Sequence, residues 1–236
     1  MNPIVLAHAD LDFNAPMSDA RAEELIAALA PLDSAEIVDL GCGWAELLLR
    51  LLEAEPSATG IGIDTTDEEL SRGRRNAEAR GVAERVRLVQ GDASSWDGTA
   101  DVAISIGSSH AWGSTRQALE AIRPRLRRGG RLLLGEAFRD TASMRNDLDV
   151  DLSLAELVEL TEECGFRMLR LATAGTDEWD GFESRWCGAL EKWPLTNPTA
   201  AGHDEARALA DEHRTRWLRG YRGLVGFAYL VLTPGS

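Results

Sequence analysis

The residues best placed to do chemistry are three aspartates set at or beside the ends of short apolar runs. Asp39 lies in "IVDLGCGWAE" (37–46), two places before Gly41 and four before Gly43. Asp64 closes "GIGID", and Asp92 falls in "VQGDASSW". Glycines at 41 and 43 let a strand turn tightly into a helix and let backbone approach a ligand without Cβ interference. Asp64 lies where a carboxylate accepts both hydroxyls of a ribose, a turn and a helix beyond such a glycine pair. A dinucleotide-binding turn would carry its third glycine at position 46, where close helix–strand packing needs a tiny residue, and Glu46 stands there. A pyrophosphate would also be poorly served by the nearby carboxylates. Any one of the aspartates could serve only as a helix cap or turn residue. Three carboxylates ending three consecutive strands would meet at one crevice.

Further candidates sit downstream. "SIGSSHAWG" (105–113) holds His110, whose ordinary titration near neutrality suits a general base, with Trp112 beside it. As a loop residue His110 could equally shape a pocket. Glu136, in "GEAF", is placed to orient a substrate or take a proton, or else to pair with an arginine. "DEWDGFESRWCGALEKW" (177–193) puts Trp179, Phe182, Trp186, Leu190 and Trp193 on one helical face. That stripe reads as core packing, while its first turn, with Trp179 and Asp180, could wall a pocket for a cationic or planar group. "FNAPMSDAR" (13–21) offers Phe13, Asn14 and Met17 as a second wall.

The elements that must position these residues follow from periodicity. "SDARAEELIAALAPL" (18–32) has helical spacing with Ser18 as N-cap. "AEIVDL" is a short buried strand, followed by a helix over 44–55 and a strand over 58–64. A helix over 67–80, strands over 85–92 and 100–107, a helix over 114–123 and a strand over 130–138 continue the alternation. A helix over 153–164 and a strand over 166–174 come next. Two helical stretches, about 176–192 and 200–219, precede the β-prone end 224–233. Such alternation specifies a parallel sheet with helices on both faces, and ligands of such sheets bind at the carboxyl ends of the strands.

Composition narrows the partners. The 236 residues carry a net charge of −14, which opposes binding to a phosphate backbone, so nucleic acid is not the expected substrate. Three cysteines and four scattered histidines suggest neither a disulfide framework nor a metal site. No apolar run reaches membrane-span length and the first residues lack a secretory pattern, so a cytoplasmic location without a membrane partner is expected. The arginine run "RPRLRRGGR" (123–131) falls at the amino end of its strand, away from the crevice, and reads as a solvated face. Nothing in the sequence fixes an oligomeric state.

Taken together, "VDLGCGWAE", "GIGID", "QGDASSW", "DVAISIGSSH" and "LRRGGRLLLGE" make the chain resemble the class I S-adenosylmethionine-dependent methyltransferases, over roughly residues 18–174. Ala45 fills the place of the family's third small residue. The resemblance implies a Rossmann-like seven-stranded sheet of order 3-2-1-4-5-7-6 with the last strand antiparallel. It implies one methyltransferase domain over 1–236, with an N-terminal helical cap (1–33) and a helical insertion (about 176–222) before the last strand. S-adenosyl-L-methionine is the implied cofactor and a small molecule the implied acceptor. Gly41, Cys42 and Gly43 would run along its methionine part and Asp39 would bind its amino group. Asp64 would hold the ribose hydroxyls, and Asp92 would accept from the adenine amino group with Ala93 beside it. Thr65 and Gly107 complete that set. The readings set against it are an NAD-dependent oxidoreductase, a non-catalytic S-adenosylmethionine-binding protein, and methyl transfer to protein or RNA.

Overall fold

The structure is a computed structural model that describes residues 2–140 and 150–235. Two helices, α1 (Pro3–Ala7) and α2 (Asp19–Ala28), precede the sheet. The N-terminal cap is therefore only partly helical, because an irregular strap over 8–18 joins them. Ser18 caps α2 by accepting from the Arg21 N–H, as its spacing predicts. Then come β1 (Glu36–Leu40), α3 (Glu46–Ala54), β2 (Thr59–Asp64), α4 (Asp67–Ala79), β3 (Val86–Gln90) and β4 (Ala100–Ile106). They are followed by α5 (Thr115–Ile122), β5 (Leu126–Arg139), α6 (Leu154–Glu163), β6 (Phe166–Thr173), α7 (Thr176–Thr196), α8 (His203–Thr215) and β7 (Val225–Pro234). A π-helical turn, Arg216–Tyr221, extends α8 toward β7.

The strands form one sheet of order β3-β2-β1-β4-β5-β7-β6. Pairings from β3 across to β5 are parallel, and β7 runs antiparallel to both β5 and β6. This is the seven-stranded Rossmann-like arrangement that the resemblance implies.

Apolar residues fill both faces. Leu25, Leu48, Leu52, Ile104, Leu133 and Tyr229 belong to one cluster, under α2 and α3. Val38, Leu40, Leu119, Leu134, Leu157 and Leu230 belong to the other, under α5 and α6. In α3, "LLLRLL" buries Leu47, Leu48, Leu49, Leu51 and Leu52, each worth about 1.5–3 kcal/mol when removed from water. That burial fixes α3 against the sheet, and with it the turn at its N-terminus. The helix begins at Glu46 rather than at 44 because Ala45 takes a left-handed conformation (φ 59°).

A third cluster joins α1, α7 and α8 through Ala7, Trp186, Leu190, Ala206 and Ala210, with Leu11 and Trp44 packed among them. The aromatic stripe of α7 therefore divides. Phe182, Trp186, Leu190 and Trp193 pack in this third cluster, whereas Trp179 packs against the first. The helix runs on to Thr196 with Pro194 inside it. At the amino end of the sheet the arginine run is engaged rather than only solvated. Arg127 pairs with Glu36 and Asp101, and Arg131 donates to the carbonyls of Leu29 and Pro31.

Candidate functional site

Two adjoining cavities, of about 90 and 190 Å3, lie at the carboxyl ends of β1, β2, β3 and β4. Asn14, Gly41, Asp64 and Ile106 line both, so they form one continuous cleft. Phe13, Met17, Asp39, Cys42 and Gly43 line the first part. Thr65, Asp92, Ala93, Gly107 and His110 line the second. Thirteen residues singled out from sequence thus reach one cleft, and Trp112, Glu136, Trp179 and Asp180 do not line it.

The turn after β1 is held by its neighbours. The N–H groups of Gly41 and Cys42 both donate to the Ile63 carbonyl, at 2.8 and 3.0 Å. Gly43 N–H donates to Asp64 Oδ2 at 2.8 Å, and Thr66 N–H donates to Oδ1 at 2.9 Å. Each Asp64 oxygen keeps a lone pair for a ligand. Gly41 adopts φ 79°, and a Cβ there would collide with the Ser108 side chain. Its glycine requirement therefore comes from packing against the turn after β4, as well as from the turn itself. At Gly43 (φ 54°) a Cβ would meet open space, so that position faces the cleft.

Ser108, which the sequence reading passed over, locks this region. Its hydroxyl donates to the Leu40 carbonyl at 2.6 Å and lies 2.8 Å from the Ser105 hydroxyl. A serine in "IGSSHAW" carries no signal by itself, since the bond joins strands that are distant in sequence.

Electrostatics in the cleft are unusual. Asp39 is buried, and its pKa is pushed up to about 8, first by loss of water and then by the charge of Asp64. Burial, with Asp39 and Asp64 nearby, raises the Cys42 thiol well above its ordinary value, which makes it a poor nucleophile. Asp92 is exposed, and hydrogen bonds from Ser94 hold it below the ordinary range. It caps the short turn after β3 and still lines the cleft. A buried carboxyl beside a second carboxylate is a site built to meet a positive charge.

The strap closes one side. Trp44 Nε1 donates to the Asp12 carbonyl at 2.7 Å, and Arg72 holds the carbonyls of His8 and Leu11. Tyr229 donates its hydroxyl to the Pro16 carbonyl at 3.0 Å, while Glu178 accepts from both the N–H and the hydroxyl of Ser18. Phe13 and Met17 are buried as a result, and Asn14 is left exposed over the junction of the two cavities.

Of the other expected site residues, His110 lines the cleft and the rest lie elsewhere. Trp112 packs against the cluster under α5 and α6, so its ring is used in the core. Glu136 lies three residues before the end of β5, which continues to Arg139. It is mostly buried, Oε1 has no hydrogen-bond partner among the described residues, and burial raises its pKa to about 7 against an opposing bond from Ser109. No arginine partner accounts for it among the described ion pairs. Trp179 and Asp180 line a separate cavity, and Asp180 is not a free carboxylate. Arg222 donates to both its oxygens, at 2.8 and 2.7 Å. His110 is exposed, with Nδ1 3.1 Å from the Gly107 carbonyl.

Among the described residues no cluster of His, Cys, Asp and Glu is placed to hold a metal ion, and no helix is long and apolar enough to cross a membrane.

Comparison with known proteins agrees with this geometry. The family described as "Methyltransferase domain" matches residues 37–130. A methyltransferase from Geobacter sulfurreducens, solved in complex with S-adenosyl-L-homocysteine, superposes with a TM-score of 0.90 at 26% identity, over 99% of this chain and 98% of that one. One from Thiobacillus denitrificans, also with S-adenosyl-L-homocysteine, gives 0.89 at 25% identity over the same shares. The methyltransferase ungE' of Aspergillus campestris is 30% identical over 76% of this chain, which spans 55% of that protein. The chain belongs to the class I S-adenosylmethionine-dependent methyltransferases. It is an enzyme that uses S-adenosyl-L-methionine, and the oxidoreductase and non-catalytic readings fall away.

The residues present fit this cosubstrate. It carries a sulfonium and an ammonium but no phosphate, which suits the buried Asp39 with Asp64 nearby better than any pyrophosphate would. The open Cβ position of Gly43 leaves room for a ligand to lie on the backbone.

Proposed function

We propose that the chain transfers the methyl group to a small-molecule acceptor, with the cosubstrate lying along the two-part cleft. The observation that carries this placement is the meeting of Asp39 and Asp64 across the Gly41–Gly43 turn, with burial holding Asp39 at a pKa of about 8. Asp39 receives the ammonium, and Gly41, Cys42 and Gly43 follow the methionine part. Asp64 accepts the ribose hydroxyls with Thr65 alongside. Asp92 accepts from the adenine amino group, between Ala93 and Gly107.

When bound, the cosubstrate supplies an electrophilic methyl on a positively charged sulfur. The chain's residues orient it and exclude water. Holding the two reactants in line contributes on the order of 7–11 kcal/mol in favourable cases, so no single side chain has to carry the reaction. His110 shares the cavity of Asp92 and Ala93 and serves there as a wall of the adenine side.

A small acceptor is supported by the strap that covers the cleft and by a net charge of −14, which disfavours RNA. Three cysteines outside any disulfide support action in a reducing cytoplasm. The chain works as a single methyltransferase domain whose strap and α7–α8 insertion shape the acceptor side.

Calorimetric titration with S-adenosyl-L-homocysteine tests the placement. Binding by the wild type that is lost in both Asp39→Ala and Asp64→Ala is expected. Full affinity in both variants would overturn it.

A further inference from the structure

Resting on the reading of a small acceptor, we propose that the cavity walled by Phe138, Trp179, Trp217 and Tyr221 binds a flat, uncharged aromatic ring of that acceptor. The cavity, of about 200 Å3, lies at the carboxyl ends of β5 and β6 and the start of β7. It sits on the same edge of the sheet as the cosubstrate cleft and shares no lining residue with it. A ligand there leaves the cosubstrate contacts intact. Its volume falls below the ~300–1,000 Å3 of pockets that enclose a whole ligand, so it suits a one- or two-ring portion.

Each wall is built for ring contact. Phe138 lies directly over Gly226, where a Cβ would collide with its ring. Trp179 meets Phe182 and Phe227 edge-on, at 6.5 and 6.3 Å between centroids, and lies 5.9 Å from Tyr221. Its indole N–H is buried without a partner among the described residues, a donor that folding alone leaves unused. The Tyr221 hydroxyl donates to the buried carboxylate of Glu183, whose other oxygen lies 2.6 Å from His213 Nε2. The polar tip of that ring is therefore occupied within the wall. Trp217 and Tyr221 belong to the π-helical turn, a rare geometry that concentrates at functional positions.

Charge separates an uncharged ring from a cation. Asp180 was the carboxylate placed to attract a cation, and Arg222 holds both its oxygens in a two-bond pair. A cationic ligand would have to compete with that guanidinium. Asp140 also lines the cavity, so the cationic alternative is included in the test.

The probes are 2-naphthol and the N-methylquinolinium cation, two flat bicyclic molecules that differ in charge. Both are titrated calorimetrically into the full chain, with and without saturating S-adenosyl-L-homocysteine. We expect 2-naphthol to bind about tenfold or more tightly than the cation. Trp179→Leu and Trp217→Leu should each weaken 2-naphthol about tenfold, the size expected for losing an aromatic contact with its buried area. Their affinity for S-adenosyl-L-homocysteine should stay within about twofold of wild type. If Trp179→Leu does not fold, Trp217→Leu, on the π-helical turn and outside the main core clusters, decides the matter. No binding of 2-naphthol, equal or tighter binding of the cation, or wild-type affinity in Trp217→Leu would each overturn the proposal. Failure of the wild type to bind S-adenosyl-L-homocysteine would instead overturn the cleft assignment, and the titration without that ligand still reads the cavity.

Discussion

The backbone N–H of Gly43 donates to the carboxylate of Asp64 at 2.8 Å, tying the turn after β1 to the end of β2. One side chain therefore shapes the glycine turn and presents a charge to the cleft. Replacing Asp64 by alanine removes both functions. Hydrogen bonds to a charged group are worth about 1.5–3 kcal/mol, so affinity for S-adenosyl-L-homocysteine should fall tenfold or more. Calorimetry checks this, and an unchanged dissociation constant would show that the ribose lies elsewhere.

The two glycines of the turn should respond differently to alanine. At Gly41 the new Cβ meets both a left-handed backbone and the Ser108 side chain, whereas at Gly43 it meets only the backbone cost. A left-handed non-glycine residue costs about 1–2 kcal/mol. Gly41→Ala should therefore lower the melting temperature more than Gly43→Ala does. Equal losses in thermal unfolding would mean that the Ser108 contact relaxes freely.

Asp39 predicts a pH dependence with a defined sign. Its ordinary pKa is 3.8 and its folded value is about 8, so between those values the folded chain holds an extra proton. Stability of the free enzyme should fall as pH rises through that window, and Asp39→Asn should flatten the fall. A bound ammonium favours the carboxylate, so affinity for S-adenosyl-L-homocysteine should rise from about pH 6 to about pH 8 with release of a proton. Titration in two buffers of different ionisation enthalpy measures that release. A pH-independent affinity in the wild type would contradict the assignment.

Tyr229 is fully buried, and its hydroxyl holds the strap through the Pro16 carbonyl. Tyr229→Phe leaves that carbonyl without its donor, a loss of about 1–3 kcal/mol for a buried group. The melting temperature should drop, and S-adenosyl-L-homocysteine should dissociate faster because Phe13, Asn14 and Met17 ride on the strap. Stopped-flow dissociation that matches wild type would show that the strap does not cover the ligand.

Much of this protein was legible in its sequence because the signals are local. The 3.6-residue and buried-strand patterns mark each element, Ser18 announces α2, and Gly41, Gly43, Asp64 and Asp92 stand where a chain must turn or present a charge at a strand end. A strand end is a fixed place in a parallel sheet, so a residue placed there by spacing is also placed in space. Tertiary structure alone decided the rest. Ser108 matters only because β4 lies beside β1, and Tyr229 only because β7 passes under the strap. Trp112 carries the same local signature as a pocket aromatic, yet the packing of the β4–α5 connection turns it into the core. The stripe on α7 is continuous in sequence, but α1 and α8 cover only part of it and leave Trp179 to the sheet edge. Asp180 reads as a free carboxylate until the π-helical turn brings Arg222 onto both its oxygens. Periodicity states which face of an element is apolar. It does not state which partner covers that face, because the partner arrives from a distant part of the chain.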